Sequence, residues 1–252
     1  MSDRPAISVC IPAYDMGGQG GHFLSLSLER LATQDFTDFE VVVSDQSDTT
    51  GVAEACAAFE GRLDIRRVDN RAGKRQGSAN SNNAMRHARG RILKILFQDD
   101  FLCDDSALRQ VFDTLQPPDH KWVLMGSAVT RDGEVLERPM VPHWHDQIRY
   151  GRNTISSPSV LALEAGHNIW FDENLIWLMD ADMYQSCHAA FGAPAILPDT
   201  LLANRLHEGQ VSASVSRKLR RHELLYTARK GGLIRKRGDL GAFLYQYLKA
   251  LG

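Results

Sequence analysis

Residues 91–102 read RILKILFQDDFL, an apolar, strand-like run that ends on an acidic pair, Asp99-Asp100, and then turns apolar again. Two adjacent carboxylates repel, and each must stay solvated or find a cation. A strand end facing a cleft, with a divalent metal bound to a phosphorylated ligand, meets both needs. The alternative is a strand that ends in a solvated turn. Two other strand-like runs end in polar clusters, Tyr14-Asp15 and Ser44-Asp45-Gln46-Ser47-Asp48. That convergence favours one site over unrelated turns.

The elements that would position these residues follow from periodicity. Ala6–Ile11 is apolar and rich in β-branched residues, and Pro12 stops it: a buried strand. Residues 17–21, GGQGG, read as a flexible loop, and leucines at 24, 26, 28 and 31 mark a helix over His22–Gln34. Glu40–Val43 is a second strand, the alanine-rich Thr49–Phe59 a helix, and Arg62–Val68 a third strand. Gly77–Arg89 reads as a helix closed by Gly90, before a fourth strand over Arg91–Phe97. Strands alternating with helices imply βαβ units and a parallel sheet covered on both faces, an α/β fold. Ligands of such sheets bind beyond the carboxyl ends of the strands. After about residue 105 the alternation fails. Lys121–Thr130 is one more strand, residues 138–160 are loop-rich, and a helical tail starts near Ser214.

Composition narrows the class. The chain has 252 residues, 43% hydrophobic and 24% charged, with a net charge of −2. Such a balance has no nucleic-acid character. The charge is uneven: residues 214–237 hold nine Lys/Arg against Glu223 alone, a local +8, which leaves −10 elsewhere. Cys10, Cys56, Cys103 and Cys187 are scattered and form no CxxC pair, so neither a zinc site nor a disulfide framework is expected. Scattered cysteines and the absence of a signal-peptide pattern in MSDRPAISVCIPAYD point to a cytoplasmic protein. No run approaches the ~18 apolar residues of a membrane span.

Five segments, in order, resemble the family 2 glycosyltransferases of the GT-A fold. They are ISVCIPAYD, QDFTDFEVVVSDQSD, GSANSNNAMRHARGRILKILFQDD, FDENLIWLMDAD and RLHEGQVS. The resemblance implies a Rossmann-like, mostly parallel sheet with helices on both faces. It gives a catalytic domain over 1–212, with a nucleotide-binding half (1–105) and an acceptor half (106–212), and a basic helical extension over 213–252. The implied activity is a metal-dependent, inverting transfer of a sugar from a nucleoside-diphosphate donor, UDP- or dTDP-linked, to a glycan, lipid-linked or other hydroxyl acceptor.

The resemblance also implies residue roles. Pro12, Ala13 and Tyr14 would contact the nucleobase, and Asp45 would accept a hydrogen bond from a uracil-type N–H. For Asp48 an Asx-turn or a helix cap is preferred. Lys74 and Arg75, in the loop NRAGKRQG, either approach the diphosphate or stand in a solvated loop. Asn82 is as well suited to packing as to ligand contact. Asp99 would touch the ribose or the metal shell and Asp100 the metal, Mn²⁺ or Mg²⁺, with His207 as a third ligand. Asp180 would be the catalytic base, its apolar neighbours Leu178 and Met179 raising its pKa. Asp182 would point about 200° away on the same helix. His143-Trp144-His145 is expected to contact acceptor or lie exposed.

Two other classes compete. A nucleotidyltransferase would carry a Gly- and Lys-rich loop after the first strand, whereas PAYDMGGQGG has no cation. A non-catalytic sugar-nucleotide or glycan-binding module would not need Asp99, Asp100 and Asp180 together. The basic tail either docks on the catalytic domain or lies on an anionic membrane.

Overall fold

The computed structural model describes residues 4–207, 215–231 and 237–251. Glu208–Ser212 of the RLHEGQVS segment, the boundary at 212/213, the start of the tail at Ser214, and Leu233 and Ile234 lie outside the described residues.

Among the described residues nine strands form one sheet: β1 (Ile7–Ala13), β2 (Phe39–Asp45), β3 (Ile65–Asp69), β4 (Ile92–Ile95), β5 (Phe101–Leu102), β6 (Trp122–Thr130), β7 (Glu137–Met140), β8 (Leu161–Glu164) and β9 (Ala195–Arg205). The spatial order is β3-β2-β1-β4-β8-β6-β9-β5, with β7 against β6. The first half, β3-β2-β1-β4, is wholly parallel. Its central strands are near-continuous apolar runs, as burial on both faces requires. The second half mixes directions: β8 is antiparallel to β4 and β6, whereas β9 runs parallel to β6. Pro12 is tolerated because pairing with β4 ends at Cys10, so it interrupts no ladder on that side.

Among the described residues seven α-helices accompany the sheet: α1 (Gly20–Ala32), α2 (Gly51–Ala57), α3 (Gly77–His87), α4 (Ala107–Leu115), α5 (Met179–Phe191), α6 (Arg217–Lys230) and α7 (Arg237–Lys249). Residues 17–21 are not a flexible loop. They fold into a 3₁₀ turn over Met16–Gly18 that runs into α1 at Gly20, where a Cβ would sit 2.0 Å from the Tyr14 carbonyl oxygen. These glycines let the helix approach the tip of β1. The tail docks: Glu223, Leu224, Thr227 and Ala228 of α6 are buried.

Candidate active site

The carboxyl ends of β1 and β4 and the turn after β2 open onto a cleft of about 670 Å³. The first half of the chain lines it with Pro12, Tyr14, Gln46, Arg75, Asn80, Asp99 and Asp100, and the second half with Asn153, Ser156, Ser157, Trp177, Asp180 and Asn204. Side-chain amides knit the strand tips together. Gln98 donates to the carbonyls of Tyr14 (3.0 Å) and Gly20 (3.1 Å) and accepts the Tyr14 N–H at 2.6 Å. Asn80 donates to the Ala13 carbonyl (3.0 Å) and accepts from Ser44 (2.6 Å) and Asn70 (3.0 Å). With both amides engaged, the rim is set before any ligand arrives.

The acidic pair divides. A turn closed by the Asp100 N–H on the Phe97 carbonyl (3.0 Å) sends the two side chains to different partners. Asp99 Oδ2 stands 3.0 Å from His207 Nε2. Asp100, which lines the cleft beside Asp99, has both oxygens engaged: Oδ1 accepts the Arg205 N–H and Oδ2 the Ser157 hydroxyl, both at 3.2 Å. Burial, and then the Asp99 charge, push the Asp100 carboxyl up to about 7. Lys94 lies in the core nearby, fully buried, its ammonium donating to the carbonyls of Ile95 (2.7 Å) and Ser159. Burial draws Lys94 down to about 7, against the opposing pull of Asp100.

Among the described residues no three His, Cys, Asp or Glu side chains gather around one point that could hold a metal ion. The expected trio of Asp99, Asp100 and His207 is therefore not assembled, because Asp100 is spent on Arg205 and Ser157. Asp99 and His207 do fit a cation. Neighbouring ligand atoms of an octahedral shell with bonds of about 2.1 Å are about 3.0 Å apart, and the Asp99–His207 gap is 3.0 Å. Small hard cations keep waters and substrate phosphates as their remaining ligands, so two protein donors suffice.

Asp180 lies in the first turn of α5 and lines the cleft. Oδ1 accepts the Ala181 N–H at 2.7 Å, and Oδ2 accepts Asn153 Nδ2 at 2.8 Å. Desolvation, helped by the Glu223 charge, pushes its carboxyl up to about 7. Asp182 does not line the cleft; it holds Lys230 at 2.8 Å. The helical angle separates the two acids as expected.

Two supports of Asp180 were not foreseen from sequence. Asn153 also accepts the N–H groups of Ile155 (2.9 Å) and Ser156 (3.0 Å), which holds Ser156 at a φ of 113°. That conformation costs energy and persists only where its surroundings fix it. The second support is Glu223 of α6, wholly buried. Its carboxylate accepts three successive backbone N–H groups, those of Ile176 (2.8 Å), Trp177 (3.0 Å) and Leu178 (2.8 Å). These residues lead straight into Asp180. Glu223→Gln replaces one acceptor oxygen by a donor facing N–H groups. It is expected to cost about 1–3 kcal/mol of stability and to lower turnover more than donor affinity. Thermal melts and a kcat against KM comparison check this.

Several expected contacts are corrected by the geometry. Ala13 is buried and does not line the cleft; its carbonyl accepts from Gln46 and Asn80. Asp45 is also buried off the cleft, because Arg67 (2.8 Å) and the Ser47 N–H (2.8 Å) take its oxygens. Gln46, one residue on, lines the cleft instead. Lys74 donates to the Glu173 carbonyl and leaves the cleft wall to Arg75. Asn82 is a packing residue that clamps the Phe171 backbone with bonds of 2.9 Å in both directions. Asp48 caps no helix; it pairs with Arg75 at 2.7 Å. Of the segment expected to contact acceptor or lie exposed, His143 is exposed, Trp144 stacks on His188 with centroids 3.9 Å apart, and neither His143 nor His145 lines the cleft.

Comparison with known proteins agrees with this geometry. The sequence profile described as Glycosyl transferase family 2 matches residues 8–178. No curated protein sequence matches the chain significantly. Among solved structures, S. aureus TarS 1-349 in complex with UDP-GlcNAc superposes with a TM-score of 0.71 at 17% identity, over 97% of this chain and 72% of that one. The mannosyltransferase PcManGT from Pyrobaculum calidifontis, in complex with GDP-Man and Mn²⁺, gives 0.66 at 20% identity, over 99% of this chain and 74% of that one. The structural likenesses establish a shared fold, and the profile covers well over half of the sequence. From the strand-end acids to the matched profile, the chain belongs to glycosyl transferase family 2, and it is an enzyme of the glycosyltransferase class.

Proposed function

We propose that this enzyme moves a sugar, with inversion, from a nucleoside-diphosphate donor, UDP- or dTDP-linked, to a hydroxyl of a glycan or lipid-linked acceptor. One observation carries the reading: a single cleft is lined by the acidic pair Asp99-Asp100 and by the pKa-raised Asp180, with His207 standing 3.0 Å from Asp99. Two solved proteins of the same fold hold UDP-GlcNAc and GDP-Man, which supports a nucleotide-sugar donor here. Residues 1–212 would form the catalytic domain and 213–252 an extension built onto it, working in the cytoplasm.

The base would lie between Pro12, Tyr14 and Gln46. Gln46 gives its amide N–H to the Lys74 carbonyl at 2.8 Å and keeps a carbonyl oxygen for a base N–H. Asp99 and His207 would hold Mn²⁺ or Mg²⁺, which when bound supplies positive charge against the departing diphosphate. Arg75 adds a cation in the same cleft. Asp180, held by Asn153, takes the proton of the incoming acceptor hydroxyl, so that the oxygen attacks the anomeric carbon as the bond to the diphosphate breaks.

Gln46→Ala is expected to weaken nucleotide binding by about 0.5–1.5 kcal/mol, the net worth of a neutral hydrogen bond. It should also flatten the preference between uracil, thymine and guanine nucleotides, measured by titration calorimetry. For the reaction itself, the protein is incubated with UDP-, dTDP- and GDP-sugars and MnCl₂. Slow donor hydrolysis by at least one, abolished by chelation, is expected. No turnover of any donor would contradict the reading.

A further inference from the structure

Helix α7 carries apolar side chains on both faces: Ala242, Phe243 and Tyr247 pack against the core. Leu240 (44%), Leu244 (44%), Tyr245 (65%), Leu248 (59%) and Leu251 (50%), on or just after it, face solvent, while Asp239 and Ala250 are buried. Phe243 packs edge-on against Tyr150 with centroids 5.9 Å apart, so the helix is already anchored by its other face. The outward leucines recur at steps of four, four and three, one stripe along the helix. Among the described residues this stripe stays exposed.

The exposed charges of α6 and α7 share one sign. The acids of α6 and α7, Glu223 and Asp239, are both buried. The exposed charged residues of the two helices are cations, including Arg217, Lys218, Arg229 and Lys249. A second copy of this face would set cations against cations, since a two-fold contact pairs a patch with itself. An anionic lipid surface meets both needs: acyl chains for the leucines, headgroups for the cations, with Tyr245 suited to the boundary. The helix has 13 residues, about 20 Å of rise, against a hydrocarbon core of about 30 Å. No helix among the described residues is long and apolar enough to cross a membrane, so α7 would lie in the interface plane.

We propose that the leucine face of α7, flanked by the exposed cations of α6, docks this enzyme on anionic lipid bilayers. The two helices divide the labour within the basic tail. Helix α6 braces the Asp180 segment through Glu223, and α7 meets the lipid. Because α7 rests on Tyr150 and α6 on residues 176–178, the docked surface is fixed to the wall of the cleft that carries Asp180. The inference is independent of which donor the cleft takes.

The test is sedimentation of the full chain with neutral vesicles and with vesicles containing about 30 mol % phosphatidylglycerol, at low and high salt. The expected result is salt-sensitive binding to anionic vesicles, at least tenfold weaker in Leu244→Ser/Leu248→Ser, with donor hydrolysis in the absence of lipid unchanged. Wild-type protein left in the supernatant would overturn the proposal. So would equal binding by the serine variant, or a wild-type dimer that the serine variant dissolves. Should the serine variant fail to fold by circular dichroism, Arg217→Gln/Lys218→Gln decides: undiminished anionic binding overturns the proposal.

Discussion

Asp180→Asn is expected to slow sugar transfer by about 10²–10⁴-fold, the usual worth of a positioned general base, while donor affinity barely changes. The amide keeps the size of the side chain and one acceptor oxygen for the Ala181 N–H, which the carboxylate holds at 2.7 Å. What it cannot do is accept the proton of the acceptor hydroxyl. The loss should therefore fall on kcat and kcat/KM alike, the mark of an interaction made in the transition state. Wild-type turnover should rise with pH through about 7, where the raised Asp180 carboxyl ionises, and the variant should lack that limb. Asp182→Asn is the control, because Asp182 faces Lys230 and not the cleft.

The same carboxyl predicts a stability effect of opposite sign. Its ordinary value is 3.8, and the fold raises it to about 7. The folded state thus binds the proton more tightly than the unfolded chain. The resulting stabilisation is complete below the unfolded value and is lost as pH rises through the folded one. At about pH 8 the wild type carries an ionised carboxylate that the cleft disfavours, so its melting temperature should fall from about pH 5 to about pH 8. Asp180→Asn, which has no carboxyl here, should lack that part of the fall. Melting curves across that range check it.

Asp99→Asn should lower turnover by about 10²–10³-fold, the scale on which one electrostatic stabiliser acts, and here donor binding falls too. An amide oxygen is a poorer donor to a hard cation than a carboxylate. His207→Ala should act in the same direction, since its Nε2 stands 3.0 Å from Asp99 Oδ2. Asp100→Asn changes a side chain whose oxygens meet Arg205 and Ser157, and should tell mainly on stability.

The parallel half of the sheet was legible because its strands are long apolar runs between helices of clear period. Val41–Val43, Ile7–Ile11 and Ile92–Ile95 can be nothing but buried strands in that context. The tips of those strands, and hence the cleft, followed from topology. Which side chains reach the cleft did not follow. Asp45 and Gln46 are adjacent, and one residue decides which is clamped by Arg67 and which faces the ligand. Asp99 and Asp100 both line the cleft, but a single turn sends one to His207 and the other to Arg205. Such choices depend on backbone direction at a turn, which residue type does not encode.

The second half was harder for a different reason. Strand β9 contains Pro198 and Asp199, and its pairing with β6 shifts register around Gly126. No alternation of apolar and polar residues announces it. The Asn153–Ser157 segment reads as loop, yet it supplies Asn153 to Asp180 and Ser157 to Asp100. Glu223 was visible as the lone acid in a basic stretch. Its role required knowing that three backbone N–H groups some 45 residues upstream converge on it.

The division of labour within the cleft is the central claim, and titration calorimetry tests it most directly. UDP and Mn²⁺ are titrated together into wild type, Asp99→Asn and Asp180→Asn. Wild type and Asp180→Asn should bind with similar, metal-dependent affinity, and Asp99→Asn should lose the metal dependence. Equal metal-dependent binding by all three proteins, or loss confined to Asp180→Asn, would contradict the assignment of leaving-group and acceptor chemistry to these two carboxylates.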